Sequence, residues 1–470
     1  MARVDPPSSA RGEDLNAPPE KVSRRGQFGW AAYQLASDPY FVMVNIFVFA
    51  PYFEGTIVGN YVHGQELWGY VQGASGALIA LFSPLLGAVA DASGRRKPGL
   101  ILFSALGLVA MSTLIWARSG EIQFAAIAVI AAAVMMEFAV VYHNAMLTSI
   151  ASPRRIGFLS GLAYSLGYVG GVVLFLIWLL LPETGLLPHD DAPYLHERIV
   201  GILCAAWLAI FSLPIIFWTP DRAASGLSIF AAAGKGLRKL GSTLARIRHY
   251  RNIATFLVVR AIYADGMSAV FAFLGGYAGG TFGWSVQKIG VYALTVLTVP
   301  AITSAAGGWI DDHIGSKRTV QYGLVLFTLA VTGSISTTPH EYLFFMPVTP
   351  ELSAAQLPLI GGVLKLLGFT TFPEQVALAF AMLGAAFVGP ILASSRTMVA
   401  RLAPPEMISE VYGLFTLTGK ATAFVAPIMV GVVTGITQSQ RAGFAAILIF
   451  LVAGIIGLRL VREERAVLAD

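Results

Sequence analysis

The chain has 470 residues and a formal net charge of +5; 56% of its residues are hydrophobic and only 12% are charged. Soluble domains carry roughly 25% charged residues, so this composition excludes an ordinary soluble enzyme and indicates a membrane protein with many spans. The basic residues are spread over the loops rather than gathered with aromatic residues, which excludes a nucleic-acid surface. The single cysteine, Cys204, excludes an intrachain disulfide and a thiolate metal site.

The first residues, 1–29, are polar and lack the apolar core of a signal peptide, so they are predicted to form a disordered cytoplasmic tail. After them, apolar runs long enough to cross a bilayer of roughly 30 Å recur along the chain. The sequence therefore predicts an all-α membrane protein. About twelve spans are predicted, at 36–56, 68–90, 98–117, 122–150, 158–181, 198–218, 253–280, 289–310, 319–339, 376–400, 409–434 and 443–461.

The basic residues predict the orientation of these spans. The segments on one side carry most of the 31 Lys and Arg residues. The opposite side carries only Arg118, Arg198, Lys288, Lys365 and Arg441. By the positive-inside rule, both termini are predicted to be cytoplasmic.

A glycine-rich, charged loop occurs twice, at one constant spacing. The first copy contains Gly87, Asp91, Gly94, Arg95, Arg96 and Lys97. All of these except Arg95 are matched 221 residues later, by Gly308, Asp312, Gly315, Lys317 and Arg318. Glycine lets helix ends approach closely, and a carboxylate next to basic residues can tie those ends together. The spacing resembles the signature loop of the major facilitator superfamily, which implies a gating role; a simple topological anchor is the alternative.

The repeated loop predicts two pseudo-symmetric six-helix halves, 30–218 and 253–461, as in the major facilitator fold. The basic segment between them, 219–252, is predicted to be an amphipathic interfacial linker, with a solvated connector as the alternative. A second pair of matching stretches, one in each half, lies further apart in the chain than the two copies of the loop do. This difference predicts an insertion at 340–376 in the second half, which either acts as a lid or has no function. Residues 462–470 are predicted to form a second cytoplasmic tail.

Ionisable residues inside predicted spans mark a transport pathway, because burying one at mid-bilayer costs about 3 kcal/mol. The predicted cavity residues are Glu137, His143, Asn144, Arg260, Tyr263, Asp265, Arg396 and Lys420. Glu137 and Asp265 are candidates for reversible protonation, or for permanent ion pairs with Lys420 or Arg260. His143 is predicted to be either a buried structural histidine with its hydrogen bonds made or part of a proton relay. Asp38 and Glu54 lie near opposite ends of the first span.

Several stretches resemble the autophagy-related vacuolar effluxer family of fungi and its bacterial branch. They are WAAY at 30–33, YHN at 142–144, GYVGG at 167–171, RAIYADG at 260–266, GGYA at 275–278, SR at 395–396 and GK at 419–420. The resemblance implies that spans 1, 4, 7 and 10 line a central cavity. Through the bacterial branch it also implies a location in the inner (plasma) membrane of a bacterium. It also points to amino-acid efflux, the activity associated with the fungal members. Gln34 stands where the family commonly has an acidic residue, so that role is lost here or moved to Asp38.

The sequence thus predicts a secondary transporter that works by alternating access. It is expected to export a small polar or zwitterionic metabolite such as an amino acid, driven by protons or by the solute's own gradient. The expected partners are this substrate, membrane lipids and protons, with the chain a monomer. No cofactor and no enzymatic activity are expected, since catalytic, metal-binding and phosphate-binding motifs are absent from the sequence. The alternatives are a non-transporting assembly or regulatory factor of the membrane, and a transporter of lipids or amphiphiles.

Overall fold

The computed structural model describes residues 22–151, 156–185, 193–221, 229–403 and 408–462. Within them, eleven helical segments are long and apolar enough to cross a membrane. One further long helix, Val286–Ile314, is apolar over Val286–Pro300. Together they are the twelve spans that the sequence predicts, and we number them in chain order.

The first half contains spans 1 to 6, and spans 1, 3, 5 and 6 each consist of more than one helical segment. Span 1 is α1 (Arg24–Val42), a π-helical turn (Met43–Phe47), α2 (Phe49–Tyr52) and a second π-helical turn (Phe53–Ile57); span 2 is α3 (Tyr61–Ser93); span 3 is α4 (Lys97–Ser112) with a 3-10 turn (Thr113–Trp116). Span 4 is α5 (Ile122–Ile150); span 5 is α6 (Ile156–Leu180) with a 3-10 turn (Leu181–Thr184); span 6 is α7 (Leu195–Arg198), α8 (Val200–Phe211) and α9 (Leu213–Trp218).

The second half follows a separate helix, α10 (Ile229–Ile247). Span 7 is α11 (Arg251–Phe282), span 8 is α12 (Val286–Ile314) and span 9 is α13 (Ser316–Ser336). An antiparallel hairpin of β1 (Glu341–Tyr342) and β2 (Met346–Pro347) comes next, with the short helices α14 (Pro350–Ala354) and α15 (Gly361–Leu366). Span 10 is α16 (Phe372–Leu402), span 11 is α17 (Ile408–Ala421) with α18 (Val425–Thr437), and span 12 is α19 (Gln440–Ala445) with α20 (Ile447–Leu458).

The first helix begins earlier than the sequence predicts. It starts at Arg24, where the hydroxyl of Ser23 accepts a hydrogen bond from the backbone N–H of Gly26 at 3.1 Å. Residues 24–29, assigned above to a disordered tail, are therefore helical. Gly29 is buried here, and a Cβ on it would lie 2.6 Å from the backbone oxygen of Pro214. Hydropathy does not register such glycine contacts, which explains the missed boundary. Of the two predicted tails, residues 1–21 and 463–470 lie outside the described residues.

The main contacts between the two halves are those of span 1 with span 7, of span 2 with spans 7 and 11, and of span 5 with span 8. Glycines allow the backbones to touch. A Cβ on Gly69 would lie 2.7 Å from both the Cα of Gly431 and the backbone oxygen of Pro427, and a Cβ on Gly275 would collide with the backbone oxygen of Ile46. The glycine-rich runs of the sequence thus serve close helix packing.

The two ends of the molecule differ. We call the end that carries the loops at 94–96 and 219–221 the basic end, and the opposite end, with the loops at 58–60 and 283–285, the far end. The glycine contacts between the halves lie toward the far end. Toward the basic end, Gly161 and Gly413 have open space where a Cβ would be.

The predicted insertion packs on the second half. The side-chain oxygen of Gln375 accepts from the backbone N–H of Leu357 at 2.9 Å, and its amide donates to the backbone oxygen of Phe369 at 3.0 Å. Arg441 of span 12 pairs with Glu341 of the hairpin at 2.9 Å. Whether this segment acts as a lid stays a prediction.

The predicted amphipathic linker contains helix α10, which packs under the basic end of span 2. Gly236 lies directly against Ala88, while Leu237 and Leu244 are exposed on another face. This arrangement suits an interfacial helix, whose position at the membrane surface stays a prediction.

Candidate functional site

The first gating loop ties helix ends together within the first half. The guanidinium of Arg96, only 4% exposed, donates to the backbone oxygen of Ala90 at 3.4 Å and to the hydroxyl of Ser149 at 3.2 Å. The carboxylate of Asp221, after span 6, accepts from the backbone N–H groups of Arg96 at 3.0 Å and Lys97 at 3.1 Å. It thereby caps the N-terminus of span 3. The sequence analysis missed Asp221, which is distant in the chain.

The remaining residues of this loop are placed as follows. Gly94 has a φ of 80°, a left-handed conformation that only glycine adopts easily. A Cβ added to Gly87 would have only one neighbour within 4 Å, the Cγ1 atom of Val141 at 3.9 Å. Arg95 is exposed, and the side chain of Asp91 lies outside the description.

In the second copy of the loop, Asp311 forms an ion pair with Arg401 of span 10 at 3.5 Å. The sequence analysis did not select Asp311. Gly315 has a φ of 90° and separates spans 8 and 9. Lys317 is half-buried and Arg318 is exposed; the burial of Gly308 and the side chain of Asp312 lie outside the description. Both loops therefore join ends within their own half, and their gating role stays a prediction.

An ion pair joins the two halves near the middle of the membrane. The ammonium of Lys420 in span 11 donates to both carboxylate oxygens of Glu137 in span 4, each at 2.6 Å. The sequence predicts both residues and leaves their partners open. The structure brings them together across the interface.

Asp38 of span 1 lies close to this pair. Its carboxylate accepts a hydrogen bond from the amide of Gln34 at 2.6 Å, rests against Gly167 of span 5, and interacts electrostatically with Glu137. The cavity prediction omitted Asp38 because it lies near the predicted start of its span. The spacing of Gln34 and Asp38, four residues apart on one helix, is the signal that points to it.

Two arginines of the second half, Arg260 and Arg396, are near enough to interact electrostatically. Arg260 of span 7 donates to the backbone oxygen of Phe415 at 2.6 Å, and its guanidinium lies 3.7 Å above the Phe415 ring. Arg396 of span 10 donates to the hydroxyls of Ser160 at 3.2 Å and Tyr164 at 2.5 Å, both in span 5. Among the described residues, neither arginine forms an ion pair with a carboxylate.

Tyr263, which the sequence also predicts in the cavity, is buried and links two helices by a hydrogen bond. Its hydroxyl shares a hydrogen bond of 2.7 Å with the hydroxyl of Ser395, which joins spans 7 and 10 one residue from Arg396. It therefore helps to hold Arg396 in place.

Asp265 stabilises a break in span 11. Its carboxylate accepts from the backbone N–H of Ala426 at 3.1 Å, in the first turn of α18, directly after the gap that follows α17. A carboxylate is favourable at a helix N-terminus. Asp265 thus pairs with backbone, whereas the sequence analysis considered Lys420 or Arg260 as its partner.

His143 forms a reciprocal contact with Trp30. The indole N–H of Trp30 donates to the backbone oxygen of His143 at 2.8 Å, Nε2 of His143 lies 2.9 Å from the backbone oxygen of Trp30, and the rings stack at 4.4 Å. Trp178 and His196 repeat this arrangement between spans 5 and 6. The geometry favours a structural role for His143. Its neighbour Asn144 is exposed.

With one exception, the charges at the centre are segregated between the halves. Two acidic groups, Asp38 and Glu137, lie on spans 1 and 4, and the basic groups, Arg260, Arg396 and Lys420, lie on spans 7, 10 and 11. The exception is Asp265 of span 7, whose carboxylate is bonded to the backbone N–H of Ala426. One acid, Glu137, and one base, Lys420, pair with each other, whereas Asp38 and the two arginines form no ion pair among the described residues. In the described part of the chain, no cluster of three or more His, Cys, Asp or Glu side chains suits a metal ion.

Solved structures of similar fold come from transporters. A nucleoside transporter, NupG, matches with a TM-score of 0.61 at 12% identity, over 93% of this chain and 97% of that chain. A D-xylose–proton symporter matches with a TM-score of 0.63 at 12% identity, over 93% and 97%. These likenesses show the fold: an all-α membrane protein with the twelve-span architecture of the major facilitator superfamily.

Sequence comparisons define the family. The model of the vacuole effluxer Atg22-like family matches residues 54–469, so the chain belongs to that family. An uncharacterized MFS-type transporter of Bacillus subtilis, YxiO, is 23% identical over 441 residues, which are 93% of this chain and 94% of that protein. Autophagy-related protein 22 of Cryptococcus neoformans is 28% identical over 314 residues, and the match spans half of that protein. The predicted family is confirmed, and the chain is a multi-pass membrane transporter of the major facilitator type.

Proposed function

We propose that this transporter moves a small zwitterionic metabolite, amino-acid-like in its charges, by alternating access. The observation that carries the proposal is the charge segregation at the centre of the molecule. Arg260 and Arg396 lie on the second half without a carboxylate partner among the described residues, and Asp38 lies on the first half. A solute with one carboxylate and one ammonium group complements both sides.

The arginines supply the anionic subsite. Guanidiniums hold carboxylates through paired, charge-assisted hydrogen bonds, and two adjacent guanidiniums repel each other until an anion lies between them. Backbone and hydroxyl oxygens now occupy part of their donor capacity. A substrate carboxylate would replace these weaker acceptors and add opposite charge.

Asp38 supplies the cationic subsite. Glu137 is already neutralised by Lys420, whereas the described partner of Asp38 is the uncharged amide of Gln34. An ammonium group would therefore gain more from Asp38 than from Glu137. This assigns to Asp38 the task that the family resemblance places on an acidic residue at position 34.

Alternating access is supported by the unequal contacts between the halves. At the far end, glycines bring backbones into contact. At the centre and toward the basic end, long side chains such as Arg396 and Lys420 bridge the gap. Side-chain bridges separate by rotamer changes, so we assign the basic end as the open side of this state and as the cytoplasmic face.

The direction of transport is a separate part of the proposal. We propose export from the cell, as expected from the sequence. The family description names a vacuole effluxer, and efflux from a vacuole moves solute toward the cytoplasm, so uptake across the plasma membrane is the alternative. Direction must therefore be measured independently of the substrate class.

The test compares metabolites inside and outside cells that lack or overproduce the protein. One amino-acid-like compound should shift reciprocally, and proteoliposomes should then transport it. Arg260→Gln and Arg396→Gln should each lower transport by about tenfold or more, the loss of one charge-assisted hydrogen bond, with normal expression. Lys365→Gln, in the exposed part of the insertion, is the matched control and should transport normally. A cationic or uncharged transported solute, or unchanged transport in both arginine variants, would refute the zwitterion assignment.

A further inference from the structure

Span 1 carries a buried carboxyl group near the far end. Glu54 has no exposed surface, and neither of its carboxyl oxygens has a hydrogen-bond partner among the described residues. It lies in the second π-helical turn of span 1, Phe53–Ile57, away from the central charges. The proposed function gives it no task.

Glu54 lies directly between the two halves. Both carboxyl oxygens rest against Gly276 of span 7, close enough to exclude a Cβ there, and Gly64 of span 2 packs on the backbone of Glu54. Beside it, the indole N–H of Trp68 donates to the backbone oxygen of Ala272 at 3.0 Å, which joins spans 2 and 7. The carboxyl group is thus enclosed by the contacts that close the far end.

The charged surroundings of Glu54 are sparse. Tyr61 of span 2 interacts with it electrostatically. Span 7 presents the glycines Gly276 and Gly279 to this region. Within the described residues, no basic side chain contributes to the electrostatics of Glu54.

An ionised carboxylate in such a place is costly. Removing one from water without a partner costs several kcal/mol, whereas a neutral carboxyl group costs much less. If spans 1 and 7 separate at the far end, Gly276 moves away and water reaches Glu54. Hydration then lowers the free energy of the ionised carboxylate. Closure and proton binding are therefore linked.

We propose that Glu54 is a proton-binding site built into the far-end gate. When the gate closes, the carboxylate takes one proton from the solution on the far side; when the gate opens, the carboxyl group returns that proton to the same solution. The proposal rests on the alternating access of the proposed function and adds a ligand, the proton, with its site.

The linkage has a definite sign. Because the closed gate binds one proton more than the open gate, raising the pH favours the open gate. The ratio of open to closed molecules changes by up to about tenfold for each pH unit over the range in which Glu54 titrates. Replacing Glu54 with an uncharged residue of the same shape removes this dependence and favours the closed gate.

The gate can be followed without a substrate. Spin labels on His63→Cys in span 2 and Thr437→Cys in span 11, both exposed at the far end, report the distance between the halves in a Cys204→Ser background. Double electron–electron resonance in lipid nanodiscs over about pH 5 to 9 should show a longer-distance population that grows as the pH rises. Glu54→Gln should keep the short distance throughout. Glu121→Gln, an exposed far-end carboxyl, should behave like the parent protein.

Two further results decide the proposal. Glu54→Asp retains an ionisable group and should retain a pH-dependent distance, which separates loss of titration from loss of packing. A pH-dependent distance that persists in Glu54→Gln, or the absence of any pH dependence in the parent protein, would overturn the proposal. Transport that depends on Arg260 and Arg396 would in either case leave the proposed function standing.

Discussion

The ion pair of Glu137 and Lys420 is the residue-scale link between the halves, and it can be tested by exchanging its charges. Glu137→Gln leaves the Lys420 ammonium without its carboxylate, so we expect transport to fall by about tenfold, since a partly shielded pair contributes about 1 to 2 kcal/mol. Lys420→Gln should behave alike. The exchange Glu137→Lys with Lys420→Glu should restore a substantial part of transport in a double-mutant cycle.

The surface pair of Glu341 and Arg441 provides the control for this exchange. Glu341 is about half exposed, so Glu341→Gln should leave transport unchanged. Unchanged transport in the single variants at Glu137 and Lys420 would show that the ion pair does not contribute to transport.

Asp265 gives a second prediction at this scale, because its carboxylate caps a helix. Asp265→Asn keeps an oxygen that accepts from the N–H of Ala426, so stability and transport should stay near those of the parent protein. Asp265→Ala removes the acceptor and should lower the free energy of unfolding by about 1 kcal/mol. Thermal unfolding and transport assays measure both effects. Abolished transport with unchanged stability in Asp265→Asn would instead support the proton-carrier hypothesis.

Sequence reasoning identified the ionisable residues of the centre but not their partners. Charge inside an apolar span is visible in the sequence, so Glu137, Arg260 and Lys420 could be selected. Pairing depends on how two distant helices are rotated toward each other, and neither composition nor spacing specifies this. Asp265 shows the consequence, since its partner is a backbone N–H freed by a break in span 11.

At the scale of elements, the contact between spans 2 and 11 depends on glycine. A Cβ on Gly69 would lie 2.7 Å from backbone atoms of Pro427 and Gly431, which cannot move independently of their helix. Gly69→Ala should therefore push the far end apart. A cysteine at Thr434, fully buried at this interface, should then react faster with a maleimide in a Cys204→Ser background.

Gly161→Ala is the matched control for Gly69→Ala. A Cβ at Gly161 meets no atom within 4 Å, so the substitution should leave the reactivity of Thr434→Cys unchanged and the helix slightly more stable. Equal reactivity in both alanine variants would contradict the role assigned to the glycine contact.

The elements show where hydropathy succeeds and where it fails. Apolar run length predicts the twelve spans well, since crossing a bilayer demands length and composition. It does not show the two π-helical turns of span 1 or the break in span 11, because these depend on contacts with other helices. The early start of α1 was missed for the same reason. Gly29 can pack against the backbone of Pro214 because it has no side chain, and hydropathy does not reveal this contact.

For the whole molecule, closure at the far end and exposure toward the basic end predict which solution reaches the centre. Asn144 and Tyr412 are exposed, whereas Thr434 is buried at the far end. Cysteines placed singly at 144 and 412 in a Cys204→Ser background should react with a membrane-impermeant maleimide in inside-out vesicles and resist it in intact cells. The excess of basic residues near these positions should face the cytoplasm, so the same experiment tests orientation and open side together. Labelling of both positions from outside intact cells would reverse the orientation, and equal labelling of 144 and 434 from one side would contradict a closed far end.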